Sequence, residues 1–156
     1  MKKGKIIYTI LSWIVTAIIL LCIFSLSAQN ADDSKELSDS FVRKILEWLH
    51  LDIPGEVLRK FAHMLEFTAL AACLGNAIYT TWKYRFSAVI SLFVTVICAV
   101  GDEIHQIFVP GRAFQLSDIL IDSIGAVIGI TAYLILYKIY QIIKERGNKN
   151  GNSQTV

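Results

Sequence analysis

The sequence predicts an all-α integral membrane protein: four transmembrane helices, with a short external amphipathic helix between the first and second. Three observations carry this. Of the 156 residues, 54% are apolar and the mean hydropathy is +0.54, more apolar than an ordinary soluble domain. Apolar runs at about 6–26, 61–82, 86–109 and 117–140 each match the roughly 20 residues a helix needs to cross a bilayer. Both prolines, Pro54 and Pro110, fall at the edges of these runs, where a missing backbone N–H interrupts no helix. No stretch alternates like a strand, and no internal repeat is present. The expected organisation is a single membrane domain over 6–140, a basic N-terminus at 1–5, an external segment at 27–58 and a polar tail at 141–156.

The distribution of charge sets the expected orientation. With the N-terminus, the 83–85 turn and the C-terminal tail on one side, that side holds nine of the fifteen Lys/Arg and a single acid, Glu145. Basic residues concentrate on the cytoplasmic side, so the expectation is a multi-pass plasma-membrane protein with both termini in the cytoplasm. The polar residues at the start of the second span, the end of the third and the start of the fourth would then lie at the outer end of the bundle. Cys22, Cys73 and Cys98 all fall within apolar spans, and their scattered, odd number gives no disulfide or metal pattern.

The first element opens with Lys2, Lys3 and Lys5 and continues as Ile6–Leu26. Small residues around Ser27 also suit a signal-peptide cleavage site, but the apolar run is about twice a typical 7–15-residue signal core, so a retained span is expected. Between 30 and 53, Asp33 and Glu36 resemble a helix start, and Leu37, Phe41, Ile45, Trp48 and Leu49 share one face. That pattern predicts a helix on the outer membrane surface or a lid over the bundle.

In the second span Arg59, His63 and Glu66 recur at i, i+4, i+7, placing a cation, an imidazole and a carboxylate on one stripe. Arg59 and Lys60 also suit simple interfacial anchoring by snorkelling. Ala69, Cys73 and Asn76 are expected to keep that stripe small for a neighbouring helix. Trp82-Lys83-Tyr84-Arg85 reads as a short cytoplasmic turn.

The third span is apolar until Gly101 and then carries Asp102, Glu103, His105 and Gln106. Asp102, His105 and Gln106 share a helical face, whereas Glu103 points about 100° away from Asp102. Pro110-Gly111 predicts a tight turn, followed by Arg112. The fourth span opens with Asp118 and Asp122 at i, i+4 and continues with Gly125 and Gly129, a small-residue face for close packing. Ionisable groups next to hydrocarbon cost a few kcal/mol each. The candidate ligand-binding residues are therefore His63, Glu66, Asp102, Glu103, His105, Gln106, Arg112, Asp118 and Asp122.

Three stretches together resemble the VanZ-like family of small membrane proteins, named for an accessory teicoplanin-resistance protein. One is Asp102-Glu103-x-His105-Gln106-x-x-x-Pro110-Gly111-Arg112, followed by Ser117-Asp118-x-x-x-Asp122-x-x-Gly125. The others are Arg59-Lys60-x-x-His63-x-x-Glu66-Phe67 and the polar exit of the first span, Phe24-Ser25 to Gln29. The resemblance covers roughly residues 10–135. Ala113-Phe-Gln-Leu116 is bulkier than the family's usual turn. The resemblance implies low-level glycopeptide resistance for the founding protein, and no agreed activity for the family at large.

The expected function is a polar site at the outer leaflet that binds an amphiphile. The expected partner is a membrane lipid, a lipid-linked envelope precursor or an acylated (lipoglycopeptide) antibiotic such as teicoplanin. Arg112 would fork onto its phosphate or carboxylate, and Asp118, Gln106 and His63 would add polar contacts. A second reading is a hydrolase or transferase acting on a lipid-linked substrate, but no His-Glu-x-x-His, nucleophile elbow or phosphate-binding Gly loop occurs. A third is a structural bundle in which Arg112 neutralises Asp118 or Glu103 and His63 bonds Asp122. A proton-linked transporter is a fourth and weaker reading, with no polar trail expected toward the cytoplasmic half. No cofactor and no metal are expected, and the basic residues form no stripe suited to nucleic acid.

Overall fold

The computed structural model describes residues 3–29, 54–83 and 86–152, with side chains described as far as Arg146. Four helices account for nearly all of these residues: α1, Lys3–Ser27; α2, Gly55–Trp82; α3, Ser87–Gln106; and α4, Leu116–Asn152. All four are long and apolar enough to cross a membrane, and no strand occurs among the described residues. The expected surface helix falls within 30–53 and lies outside the described residues.

The helix limits depart from the sequence expectation in three places. α2 begins at Gly55 rather than at 61, because Pro54 sits at its N-cap and its carbonyl accepts the N–H groups of Val57 and Leu58. α3 ends at Gln106 rather than 109. There the chain tightens into i→i+3 bonds from Ile107, Phe108 and Val109, which lead into Pro110 and Gly111, the latter at φ 78°. α4 runs through the expected tail to Asn152; Gln141, Lys144, Glu145 and Arg146 are all good helix formers.

The most extensive interface joins α2 and α4, which run parallel in one register. Lys60 meets Asp118, Thr68 meets the Gly125 carbonyl and Tyr79 meets Tyr137. Glycine makes this approach possible. A Cβ at Gly125 or Gly129 would collide with the backbone carbonyl of Met64 or Thr68 respectively, so the small-residue face expected on α4 packs against backbone. Thr68 then donates to the carbonyls of both Met64 (2.8 Å) and Gly125 (2.9 Å), bonding the two helices at their closest point.

On α2, the stripe expected to be small and covered is only partly so. Ala69 is exposed, because the face that meets α4 is the one through Met64, Thr68 and Gly75. Cys73 is half-buried, and Asn76 meets α1, donating to Ser12 Oγ at 3.0 Å.

α3 packs against both α2 and α4 and buries Ser87, Ser91, Thr95, Ala99 and Asp102. Hydroxyl groups line the buried face of α3, but they do not connect with the charged end. Ser91 uses its hydroxyl as helix glue, donating to the Ala71 carbonyl at 2.7 Å. Between Thr95 and Asp102, Ile23, Phe67, Leu70 and Ala99 form a fully buried apolar plug, which separates the hydroxyls from the charged end.

The two ends of the bundle differ in chemistry. At one end aromatic groups dominate: Trp13 donates to Thr81 at 2.8 Å and packs edge-on against Trp82. There the Tyr79 and Tyr137 hydroxyls are bonded to each other, and Lys83 Nζ stands 4.5 Å above the Tyr79 ring. Such amphipathic rings suit a membrane–water interface. At the other end, where α1 and α3 finish and α2 and α4 begin, the charged residues gather.

Candidate functional site

Each helix delivers polar groups to this end through its own geometry. α1 ends at Ser27. α2 presents Arg59, Lys60 and His63 on its first turns. α3 presents Asp102, Glu103 and Gln106 on its last turn, and α4 presents Asp118 and Asp122 on its first. Arg59, Lys60, His63, Glu103, Gln106, Arg112, Asp118 and Asp122 line one recess whose room for water-sized groups is about 20 Å³.

At its floor His63 lies between two carboxylates. Nδ1 is 3.2 Å from Asp122 Oδ2, and Nε2 is 3.5 Å from Asp102 Oδ2, longer than a well-formed hydrogen bond. Only the doubly protonated imidazole has an N–H for each carboxylate. Asp102, Glu103 and Asp122 are all essentially inaccessible to solvent, so each needs polar partners to offset its lost hydration.

Asp102 Oδ2 receives Ser27 Oγ at 2.8 Å and Gln106 Nε2 at 3.1 Å, and Gln106 Nε2 also bonds Ser27 Oγ at 2.8 Å. Glu103, on its divergent face, accepts the backbone N–H of Gln115 through Oε2 at 2.8 Å. That bond ties the end of α3 to the chain entering α4. The two neighbouring acids thus serve different partners, as their 100° separation requires.

Lys60 belongs to the site rather than acting only as an interfacial anchor. Its ammonium is 2.7 Å from Asp118 Oδ1, 3.3 Å from Gln115 Oε1 and 3.6 Å from Glu56. Asp118 is therefore neutralised by Lys60, not by Arg112. Among the described residues, no carboxylate pairs with Arg112 or Arg59 at ion-pair distance. Arg112 is half-buried and its Nε has no hydrogen-bond partner. Burial and, next, the positive charge of Arg59 lower its pKa, against a weaker pull from Asp102 and Glu103.

Of the nine residues expected at the site, six line the recess, His63, Glu103, Gln106, Arg112, Asp118 and Asp122, and Asp102 lies behind the lining against His63. Glu66, one turn deeper, is near enough to His63, Asp102 and Asp122 to feel their charge, but its Oε2 is buried without a partner. His105 turns toward α1, its ring edge-on to Phe24 at 6.0 Å, because only the Asp102–Gln106 edge of their shared face meets Ser27.

Ser27, Arg59, Lys60 and Gln115 take part although none is among the nine. Ser27 read as part of a cleavage motif, Arg59 as a stripe cation or an anchor, Lys60 as an anchor and Gln115 as bulk in a turn. The signal for Lys60 was available: an i, i+3 partner of His63 on a polar stripe.

The model for the family described as VanZ/LLP1 matches residues 12–137, a stretch that contains every residue of the recess. The chain belongs to the VanZ/LLP1 family. No curated protein and no solved structure matches it. The shared region of this VanZ/LLP1 member runs from Ser12, on the aromatic half of α1, to Tyr137, which closes the aromatic end of α4. The family-matched region is thus the whole bundle and not the charged hairpin alone. The part of α4 beyond Tyr137 lies outside it.

Proposed function

We propose that this VanZ/LLP1 protein binds the anionic headgroup of an envelope amphiphile at the outer leaflet of the plasma membrane. The observation that carries the reading is the pair of guanidiniums, Arg59 and Arg112, on the wall of one recess, with no carboxylate among the described residues paired to either. Two like charges held together at the edge of hydrocarbon are costly, and a phosphate or carboxylate that accepts from both removes that cost. The charge asymmetry of the loops supports an outward position for this end, level with the headgroups that lipids, lipid-linked wall precursors and lipoglycopeptides present. Membership of a family whose founding protein confers teicoplanin resistance makes an acylated glycopeptide one natural ligand class.

An enzymatic role has less support. A histidine oriented by Asp122 resembles half of a catalytic relay. Its other nitrogen faces Asp102, however, and among the described residues no hydroxyl or thiol is hydrogen-bonded to His63.

The test is teicoplanin susceptibility of a wall-bearing bacterium producing the wild type, Arg112→Ala or Glu103→Gln at matched membrane abundance. Protection by the wild type that both variants lose supports antibiotic recognition by this recess. Full protection by Arg112→Ala overturns it. Absence of protection by the wild type removes the antibiotic from the ligand class, and direct titration with short-chain phospholipids then decides whether the recess binds headgroups at all.

A further inference from the structure

Two guanidiniums account for an anion but not for the carboxylate beside them. Glu103 lines the same recess and is fully buried. Its Oε2 accepts the Gln115 N–H, while its Oε1 is buried and has no hydrogen-bond partner. The other charges around the recess are committed within the protein: Lys60 to Asp118 and Glu56, Asp122 to His63, and Asp102 to Ser27 and Gln106. Among the described residues that line the recess, two guanidiniums and one carboxylate oxygen remain; Asp102 Oδ1 and Glu66 Oε2 are also buried without partners but do not line it. A purely anionic headgroup would satisfy the arginines and be repelled by Glu103. A headgroup with an ammonium beside its anion satisfies both.

We infer that the recess selects a zwitterionic headgroup, a phosphodiester carrying a primary ammonium, with phosphate on Arg59 and Arg112 and ammonium on Glu103 Oε1. The inference rests on the headgroup-binding reading above and names its ligand class. Donor chemistry supports it. An –NH₃⁺ group brings three donors, and a trimethylammonium has no N–H to offer the bare oxygen. An ethanolamine headgroup supplies what Glu103 Oε1 lacks, a choline headgroup does not, and a glycerol headgroup leaves Glu103 facing uncharged hydroxyls. Because a buried polar group built to receive a donor penalises ligands lacking one, Glu103 supplies selectivity and the arginines supply affinity.

The experiment titrates the purified full chain in detergent with dihexanoyl phosphatidylethanolamine, phosphatidylcholine and phosphatidylglycerol, and with soluble glycerophosphoethanolamine. The expected result is that the ethanolamine lipid binds at least about tenfold more tightly than the choline or glycerol lipid. In Glu103→Gln the three lipids should fall within about threefold of one another, and Arg112→Ala should weaken all three by about tenfold or more. Soluble glycerophosphoethanolamine binding as well as its lipid supports recognition through the headgroup alone, whereas binding of the lipid only supports the same headgroup presented at a membrane. Phosphatidylglycerol binding as tightly as phosphatidylethanolamine overturns the zwitterion assignment and leaves the anion reading standing. Binding of none of them overturns the headgroup-binding reading itself. The wild-type preference decides the question even if a variant fails to fold.

Discussion

The hydroxyl of Ser27, the last residue of α1, donates to Asp102 Oδ2 at 2.8 Å across 75 positions of sequence. Gln106 bonds both partners, so the end of α1 is held by a small closed network rather than by apolar contact alone. Ile23, one turn before Ser27, is fully buried against Phe67, Leu70 and Ala99. Through this contact the first span becomes a wall of the charged end, and Asp102 is screened from lipid.

The network predicts that α1 remains part of the mature protein. Intact-mass measurement of protein purified from membranes should give the full 17.5 kDa chain. A mass corresponding to cleavage after Ser27 would show that Asp102 functions without this partner. Ser27→Ala should cost about 1.5–3 kcal/mol, the typical value of a hydrogen bond to a charged group, and this is read from thermal unfolding in detergent.

The two ion pairs of α2 and α4 should differ sharply in weight. Asp122 is fully buried while His63 keeps 14% exposure, so His63→Leu alone should destabilise by about 3–5 kcal/mol through an uncompensated buried carboxylate, and His63→Leu/Asp122→Leu should recover most of that. Lys60 and Asp118 retain 21% and 17% exposure, so the coupling energy of that pair in a double-mutant cycle should stay near or below about 1 kcal/mol. Thermal unfolding of the single and double variants separates the two cases. Equal coupling energies would contradict the difference in burial.

Gly129→Ala should lower stability by about 1–3 kcal/mol, because its Cβ meets the Thr68 carbonyl where α2 and α4 touch. Gly101 is the matched control. It also lies within a helix, but a Cβ there meets nothing within 4 Å, so Gly101→Ala should be neutral or slightly stabilising. The comparison is made by melting temperature at matched detergent concentration. A neutral Gly129→Ala would mean that the helices separate at little cost.

The orientation that places the recess outside rests on basic residues, and it makes a direct prediction. A fluorescent reporter fused after Val156 should fold and fluoresce in the cytoplasm, while an alkaline phosphatase fusion at the same point should be inactive. Reversing the signs of Lys83 and Lys138 together should reduce correct insertion. An active phosphatase fusion would put the recess on the cytoplasmic face and remove the outer-leaflet ligand class.

Much of this protein was legible without coordinates, for physical reasons. A bilayer demands about 20 apolar residues per span, so four such runs specify four helices whatever their tertiary arrangement. Charged residues beside hydrocarbon are costly enough to mark a site, which is why seven of the nine expected residues converge. The divergence of Asp102 from Glu103 and the close-packing role of Gly125 and Gly129 follow from helical periodicity.

What periodicity cannot supply is which neighbour each face meets, because that depends on the parallel register of α2 against α4 and on where α1 docks. The tertiary structure alone assigned Lys60 to Asp118, left Arg112 beside Arg59, brought Ser27 onto Asp102 and turned His105 toward Phe24. The Gln115 N–H likewise reached Glu103 only because the hairpin folds back. The sequence determined that charge would collect at one end of a four-helix bundle. Helix packing decided which charges cancel there and which are left for a ligand, since pairing depends on distances of a few ångströms that no one-dimensional pattern encodes.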